Sequence, residues 1–160
     1  MHISVLAVGR LKAGPEKLLA DDYGTRIEEL GRNAGISKVK IAETAESRGQ
    51  TAAARRTEEA LFFAKVEQPR TFTVVLDERG KSLASASFAD LLRRQIDGGT
   101  DNLAFLIGGP DGHAPSIRER AGLLLSLGPM TWPHRLVRVM LLEQIYRAVT
   151  IMVNHPYHRP

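Results

Sequence analysis

The sequence predicts an α/β fold: a parallel sheet with helices on both faces. Three observations carry this reading. Short β-rich runs alternate with longer segments whose apolar residues recur at helical spacing. One apolar run, Leu103 to Ile107, leads directly into Gly108-Gly109-Pro110-Asp111-Gly112, and strand ends of this kind present backbone amides to ligands in open α/β sheets. No linker, repeat or low-complexity block divides the 160 residues, so one domain is expected.

Residues 2–8 alternate and are β-rich, which gives a first strand. Pro15 suits a helix start, Leu18, Leu19, Tyr23, Ile27 and Leu30 follow at helical spacing, and Gly31 and Gly35 punctuate the end. Residues 36–42 form a second short strand. Residues 47–66 read as a helix with Leu61, Phe62 and Val66 on its apolar side and Arg55, Arg56, Glu58 and Glu59 exposed; Gln68-Pro69 stops it. Residues 71–76 are the third strand and 77–81 its loop. Residues 88–96 give a third helix ended by Gly98-Gly99, and 103–107 the fourth strand. Ser116 is placed to cap a fourth helix reaching about residue 124, with a short element near 125–130.

The longest helix is expected over 136–153. Leu136, Val137, Val139, Met140, Leu141, Leu142, Ile145, Tyr146, Val149, Ile151 and Met152 are too many for one stripe. A helix apolar nearly all round must be covered on more than one side. The sheet covers one side and a second copy the other, so a homodimer is expected. Pro156 prevents the last residues from continuing as helix.

Composition narrows the chemistry. The chain has no cysteine, which excludes disulfides, zinc–thiolate sites, Fe–S clusters and thiol nucleophiles. The first residues lack the basic region of a signal peptide, and no apolar run approaches the roughly 20 residues that span a bilayer; a cytoplasmic protein is expected. Net charge is +4 and the sequence pI about 9.7. This permits a polyanionic partner such as RNA without requiring one.

Four stretches are able to carry chemistry. The loop after Ile107 is neither GxGxxG nor GxxxxGK[ST], so dinucleotide and P-loop sites lose ground. Leu76-Asp77-Glu78-Arg79-Gly80-Lys81 is a second strand end, where Leu76 would offer an apolar wall and backbone groups. Leu127-Gly128-Pro129-Met130-Thr131-Trp132, before Pro133-His134, is an ordered loop suited to a flat apolar ring and backbone hydrogen bonds, as an adenine needs. The tail brings together His155, Tyr157, His158 and Arg159: imidazoles exchange protons near neutrality, a phenol stacks on a base, and a guanidinium holds phosphate. No carboxylate motif stands at ligand spacing from the tail histidines, so no metal is expected. The residues alone lead to an α/β ligand-binding enzyme.

Taken in order, these stretches resemble the RlmH family of ribosomal RNA large subunit methyltransferases, of the SPOUT class. The resemblance spans essentially the whole chain. It rests on Val5-Leu6-Ala7-Val8-Gly9, Leu106-Ile107-Gly108-Gly109-Pro110 with Gly112, Pro133-His134 with Val137-Arg138-Val139, Glu143-Gln144 with Tyr146-Arg147-Ala148, and above all Asn154-His155-Pro156-Tyr157-His158. Asp111, where glutamate is frequent, Trp132 and Arg135 depart from the usual wording.

The resemblance implies a trefoil knot in the C-terminal part, about residues 71–160. It implies methyl transfer from S-adenosylmethionine to N3 of a pseudouridine, position 1915 of 23S rRNA, in assembled ribosomes. Leu76, Gly108, Gly109 and Leu127 to Trp132 would hold the cofactor. His155, Tyr157 and His158 would serve catalysis, with the tail of one subunit reaching the other's site, and Arg138 and Arg159 would engage RNA. Two alternatives stand beside this: a tRNA methyltransferase of the same class, and a non-catalytic ribosome-binding factor.

Overall fold

The computed structural model describes residues 1–66 and 68–158. Its elements run β1 (His2–Val8), α1 (Pro15–Gly31), β2 (Lys38–Thr44), α2 (Ala52–Phe63), β3 (Thr71–Ser82), α3 (Ser85–Asp97), β4 (Asn102–Ile107), α4 (Pro115–Glu119), β5 (Leu123–Ser126) and α5 (His134–Met152). The five strands form one parallel sheet in the order β2-β1-β4-β3-β5.

Successive strand residues point to opposite faces, and the two faces have separate cores. Ile3, Val5 and Ala7 of β1 and Leu103, Phe105 and Ile107 of β4 join Ile27 of α1, Phe88 and Leu92 of α3, and Leu141, Leu142 and Ile145 of α5. Leu6, Val8, Val75 and Leu106 meet Phe63 of α2 and Ile117 of α4 on the other face. The inner strands are therefore covered on both sides, which is why the run Leu103 to Ile107 is apolar throughout.

The structure departs from the sequence reading in five places. The second strand starts at Lys38: Ile36 is buried, but its N–H closes the end of α1 on the Gly31 carbonyl at 2.8 Å, with Gly35 at φ +85°. The helix expected from 47 begins at Ala52, because Thr51 caps it by accepting the Ala54 N–H at 3.1 Å. On that helix Glu59 is buried and Leu61 exposed, the reverse of the expected faces. β3 does not end in a loop at 77. It continues to Ser82 and rejoins β5 beyond an irregularity between Leu76 and Lys81.

The fourth helix stops at Glu119 without a Ser116 cap, and 123–126 is strand β5. Three leucines in a row fit a helix or a strand equally well; here the vacant edge of β3 takes them. The Gly122 N–H already bonds the Thr73 carbonyl at 2.9 Å, one step before the ladder begins.

Long α5 matches its expected range closely. Its neighbour α1 follows the expected spacing too, but Leu18 is 71% and Leu19 47% exposed. Among the described residues, no helix is long and apolar enough to cross a membrane.

Candidate active site

The carboxyl ends of β3, β4 and β5 and the start of α5 enclose a cleft of about 630 Å³. Three sequence stretches far apart in the chain form its walls. Leu76 comes from β3, Gly108 and Gly109 from the loop after β4, and Leu127, Gly128, Met130, Thr131 and Trp132 from the loop after β5. Pro129 belongs to the same loop but is not on the cleft wall. Two glycines matter for conformation. Gly112 and Gly128 sit at φ +74° and +114°, and a Cβ on either would enter open space, so backbone demand selects glycine there. Ser126 steadies the second loop: its hydroxyl accepts the Gly128 N–H at 3.2 Å and donates to the Gly128 carbonyl at 3.1 Å.

Two of the cleft's acids, Asp77 and Asp111, are already committed. Asp77 accepts the backbone N–H of Arg79 at 2.9 Å and faces Nε of Arg79 and of Arg118, each at 3.1 Å. Burial pushes its pKa up, but these donors and cations outweigh burial and leave it below the usual carboxylate range. Asp111 is gripped by Arg55 at 2.6 and 3.0 Å, which also lowers its pKa. His113, 6% exposed, packs its ring 5.2 Å from that of Phe63. Burial drives its pKa down to about 4, so it is neutral at pH 7. His134 also lines the cleft, with Nε2 at 3.5 Å from Oε1 of Glu46. The cleft offers apolar walls, backbone groups and fixed ion pairs. This suits binding and alignment more than proton transfer.

The tail lies elsewhere on its own chain. The His155 N–H bonds the Thr150 carbonyl at 2.8 Å, and His155 Nδ1 accepts the Tyr157 N–H at 3.2 Å. The Tyr157 hydroxyl donates to Glu143 at 3.2 Å, its ring meets Tyr146 edge-on at 4.9 Å, and the Arg147 guanidinium sits 5.1 Å from its centroid. Burial, with Tyr23 and Glu143 nearby, pushes the phenol up to about 12. His158 Nδ1 is buried without a hydrogen-bond partner among the described residues. None of these three tail residues lines the cleft of its own chain. Glu143 instead lines a neighbouring groove of about 640 Å³ with Leu19, Tyr23 and Val139.

Arg138 is a correction. It is 0% exposed. Its guanidinium pairs with Glu43, and Nη2 donates to the Gly9 carbonyl at 2.7 Å. It locks α5 to the ends of β1 and β2 and presents nothing to RNA. Arg159 lies outside the described residues.

The sequence reading did not single out Asp77, His113, His134 or the α2 residues Arg55 and Glu59 as site groups. For Asp77 the signal was present in its place at a strand end. For His134 it was present in its place just after the Leu127–Trp132 loop, whereas tertiary folding alone puts Arg55 and Glu59 behind the glycine turn. Among the described residues, no group of three or more histidine, aspartate or glutamate side chains is placed to hold a metal.

Comparison with known proteins adds the following. A family model described as Predicted SPOUT methyltransferase matches residues 1–158. A protein of Brucella anthropi named Ribosomal RNA large subunit methyltransferase H is 48% identical over 159 residues, 99% of each chain. One of the same name from Rhodopseudomonas palustris is 51% identical, again over 99% of each. A crystal structure of the SpoU methyltransferase AviRb from Streptomyces viridochromogenes, in complex with AdoMet, overlays 96% of this chain and 61% of its own, with a TM-score of 0.44 and 10% identity. That likeness is too weak to argue from.

Proposed function

The chain belongs to the SPOUT methyltransferase family, and on that premise we propose that it transfers the methyl group of S-adenosylmethionine to N3 of a pseudouridine in large-subunit ribosomal RNA. One observation carries the reading: a single cleft gathers Leu76, the Gly108–Gly109 loop and the Leu127–Trp132 loop. The residues fit the cofactor. Leu76, Leu127, Met130 and Trp132 offer an apolar slot for a flat ring, and Gly112 and Gly128 at positive φ turn two of the loops so that their backbone borders the cleft. When bound, the cofactor supplies an electrophilic sulfonium methyl, so the protein has chiefly to align the acceptor and exclude water.

In the overall exchange the S–CH3 and N3–H bonds break and N3–CH3 forms. The N3 proton needs an acceptor within hydrogen-bond reach. We assign that role to the tail. Tyr157, its phenol pushed up to about 12, stays protonated and serves to stack or to donate; His155 or His158 accepts the single proton. Since the tail does not line its own chain's cleft, it acts on the cleft of a second copy. The exposed Leu18 and Leu19 beside the α1–α5 groove support a homodimer through that face. The same reading places the protein in the cytoplasm with ribosomes, and the chain from residue 71 onward as the knotted segment.

Titration calorimetry with S-adenosylmethionine tests the binding step, with fluorescence of Trp132, the sole tryptophan, as a second signal. Saturable binding that perturbs Trp132 is expected. Absence of binding to the folded protein would overturn the assignment.

A further inference from the structure

Arg55 and Glu59 stand four residues apart on α2, so their side chains share one face. Each bridges the same two segments. Arg55 holds Asp111 through Nε to Oδ2 at 2.6 Å and Nη2 to Oδ1 at 3.0 Å, while its Nη1 donates to the Gly49 carbonyl at 2.9 Å. Glu59, also 6% exposed, accepts the Ser47 N–H at 3.1 Å and the Gly109 N–H. The turn 109–112, closed by the Gly112 N–H on the Gly109 carbonyl at 2.9 Å, and the irregular strap 45–51 are thus fastened to one pair of side chains. The fit is tight: a Cβ on Gly109 would lie 3.1 Å from both Glu59 oxygens. The strap also carries Glu46, which stands 3.5 Å from His134 of the cleft lining.

We propose that Arg55 and Glu59, neither of which lines the cleft, are positioning residues that fix the glycine turn in the shape the cofactor needs. The proposal rests on reading the cleft as the cofactor site. A glycine-rich turn left alone samples many conformations, and ordering it on binding would weaken affinity. A bidentate arginine–carboxylate pair is directional as well as strong. With this pair and the Glu59–Gly109 bond anchored on one helix, the turn is ordered before the ligand arrives. Burial pushes the Glu59 carboxyl up, and the two donated N–H groups offset part of that penalty.

The test compares wild type with Arg55→Gln, Asp111→Asn and the double variant. Three readouts are taken: affinity for S-adenosylmethionine by calorimetry, melting temperature, and amide exchange of Gly109 and Gly112 in the cofactor-free protein. Each single variant should bind about tenfold more weakly and exchange those amides faster, and the double variant should be no worse than Arg55→Gln, because both substitutions remove the same Arg55–Asp111 pair. KM for the cofactor should rise while kcat changes less. Variants that melt lower but bind with wild-type affinity would reduce the pair to a structural role and overturn the proposal. If wild type itself binds no cofactor, the functional reading falls with the cofactor site. Unchanged Gly109 and Gly112 exchange in Arg55→Gln would overturn the brace independently.

Discussion

Arg138→Met replaces a buried guanidinium by an apolar chain of similar length. It leaves little cavity but strands two partners. The Gly9 carbonyl loses a donor at 2.7 Å, and an orphaned buried acceptor costs about 1–3 kcal/mol. Glu43 loses its cation. Breaking a fully buried pair from one side costs about 3–5 kcal/mol. The Glu43 side chain is 24% exposed and recovers some hydration, so the lower end applies, about 3 kcal/mol in all. For a domain of this size that lowers the melting temperature by about 6–12 °C. Thermal and urea unfolding followed by circular dichroism measure it, with an unchanged m-value indicating a stability effect alone. The double variant Glu43→Leu with Arg138→Met should regain much of the loss, because no uncompensated charge remains. A single variant melting within about 1 °C of wild type would refute the reasoning. A surface RNA contact would behave in the opposite way, altering the salt dependence of RNA binding and sparing the melt.

His113, with its pKa depressed from 6.5 to about 4, makes the unfolded chain bind a proton that the folded chain refuses between those values. Stability is therefore lost as pH falls from about 7 to 4, by about 3 kcal/mol more in wild type than in His113→Leu; equal slopes in denaturation series would contradict this. In Gly80→Ala, the new Cβ would stand 2.6 Å from the backbone C and O of Leu124, atoms that cannot swing away, so a loss of about 2–4 kcal/mol is expected, and a wild-type melting temperature would count against it. The proposed homodimer predicts that wild type sediments as a dimer at micromolar concentration and Leu19→Glu as a monomer; a monomeric wild type would overturn the dimer, and a Leu19→Glu dimer of unaltered stability would place the interface elsewhere.

The sequence made the architecture legible where one period dominates. β1, α1, α3, β4 and α5 fall close to their expected ranges because alternation or helical spacing, glycine stops and Pro15 agree at each. The reading failed where two local rules fit the same residues. Leu123-Leu124-Leu125 satisfies either element, and only the vacant edge of β3 decides. Arg55, Glu59 and Arg138 look like solvated helix charges. Their partners, Asp111, Gly109, Glu43 and Gly9, lie 129 residues away at most in sequence, and no local pattern reveals such a pairing. Of the site, the glycine turn and Leu76 were readable as strand ends that converge, and Leu127 to Trp132 as an ordered loop, without the strand β5 that delivers it. The clamp behind them was not, since its hold on Asp111 and Gly109 spans about 50 residues of sequence.

The central claim is that this cleft serves methyl transfer to ribosomal RNA. It is tested most directly by incubating the protein with labelled S-adenosylmethionine and ribosomes lacking the modification, beside free 23S rRNA and tRNA, then locating the label by nucleoside mass spectrometry. The account predicts N3-methylpseudouridine in 23S rRNA, formed from ribosomes and not from the free RNAs. A folded protein that binds the cofactor and labels none of the three, or labels tRNA alone, would contradict it.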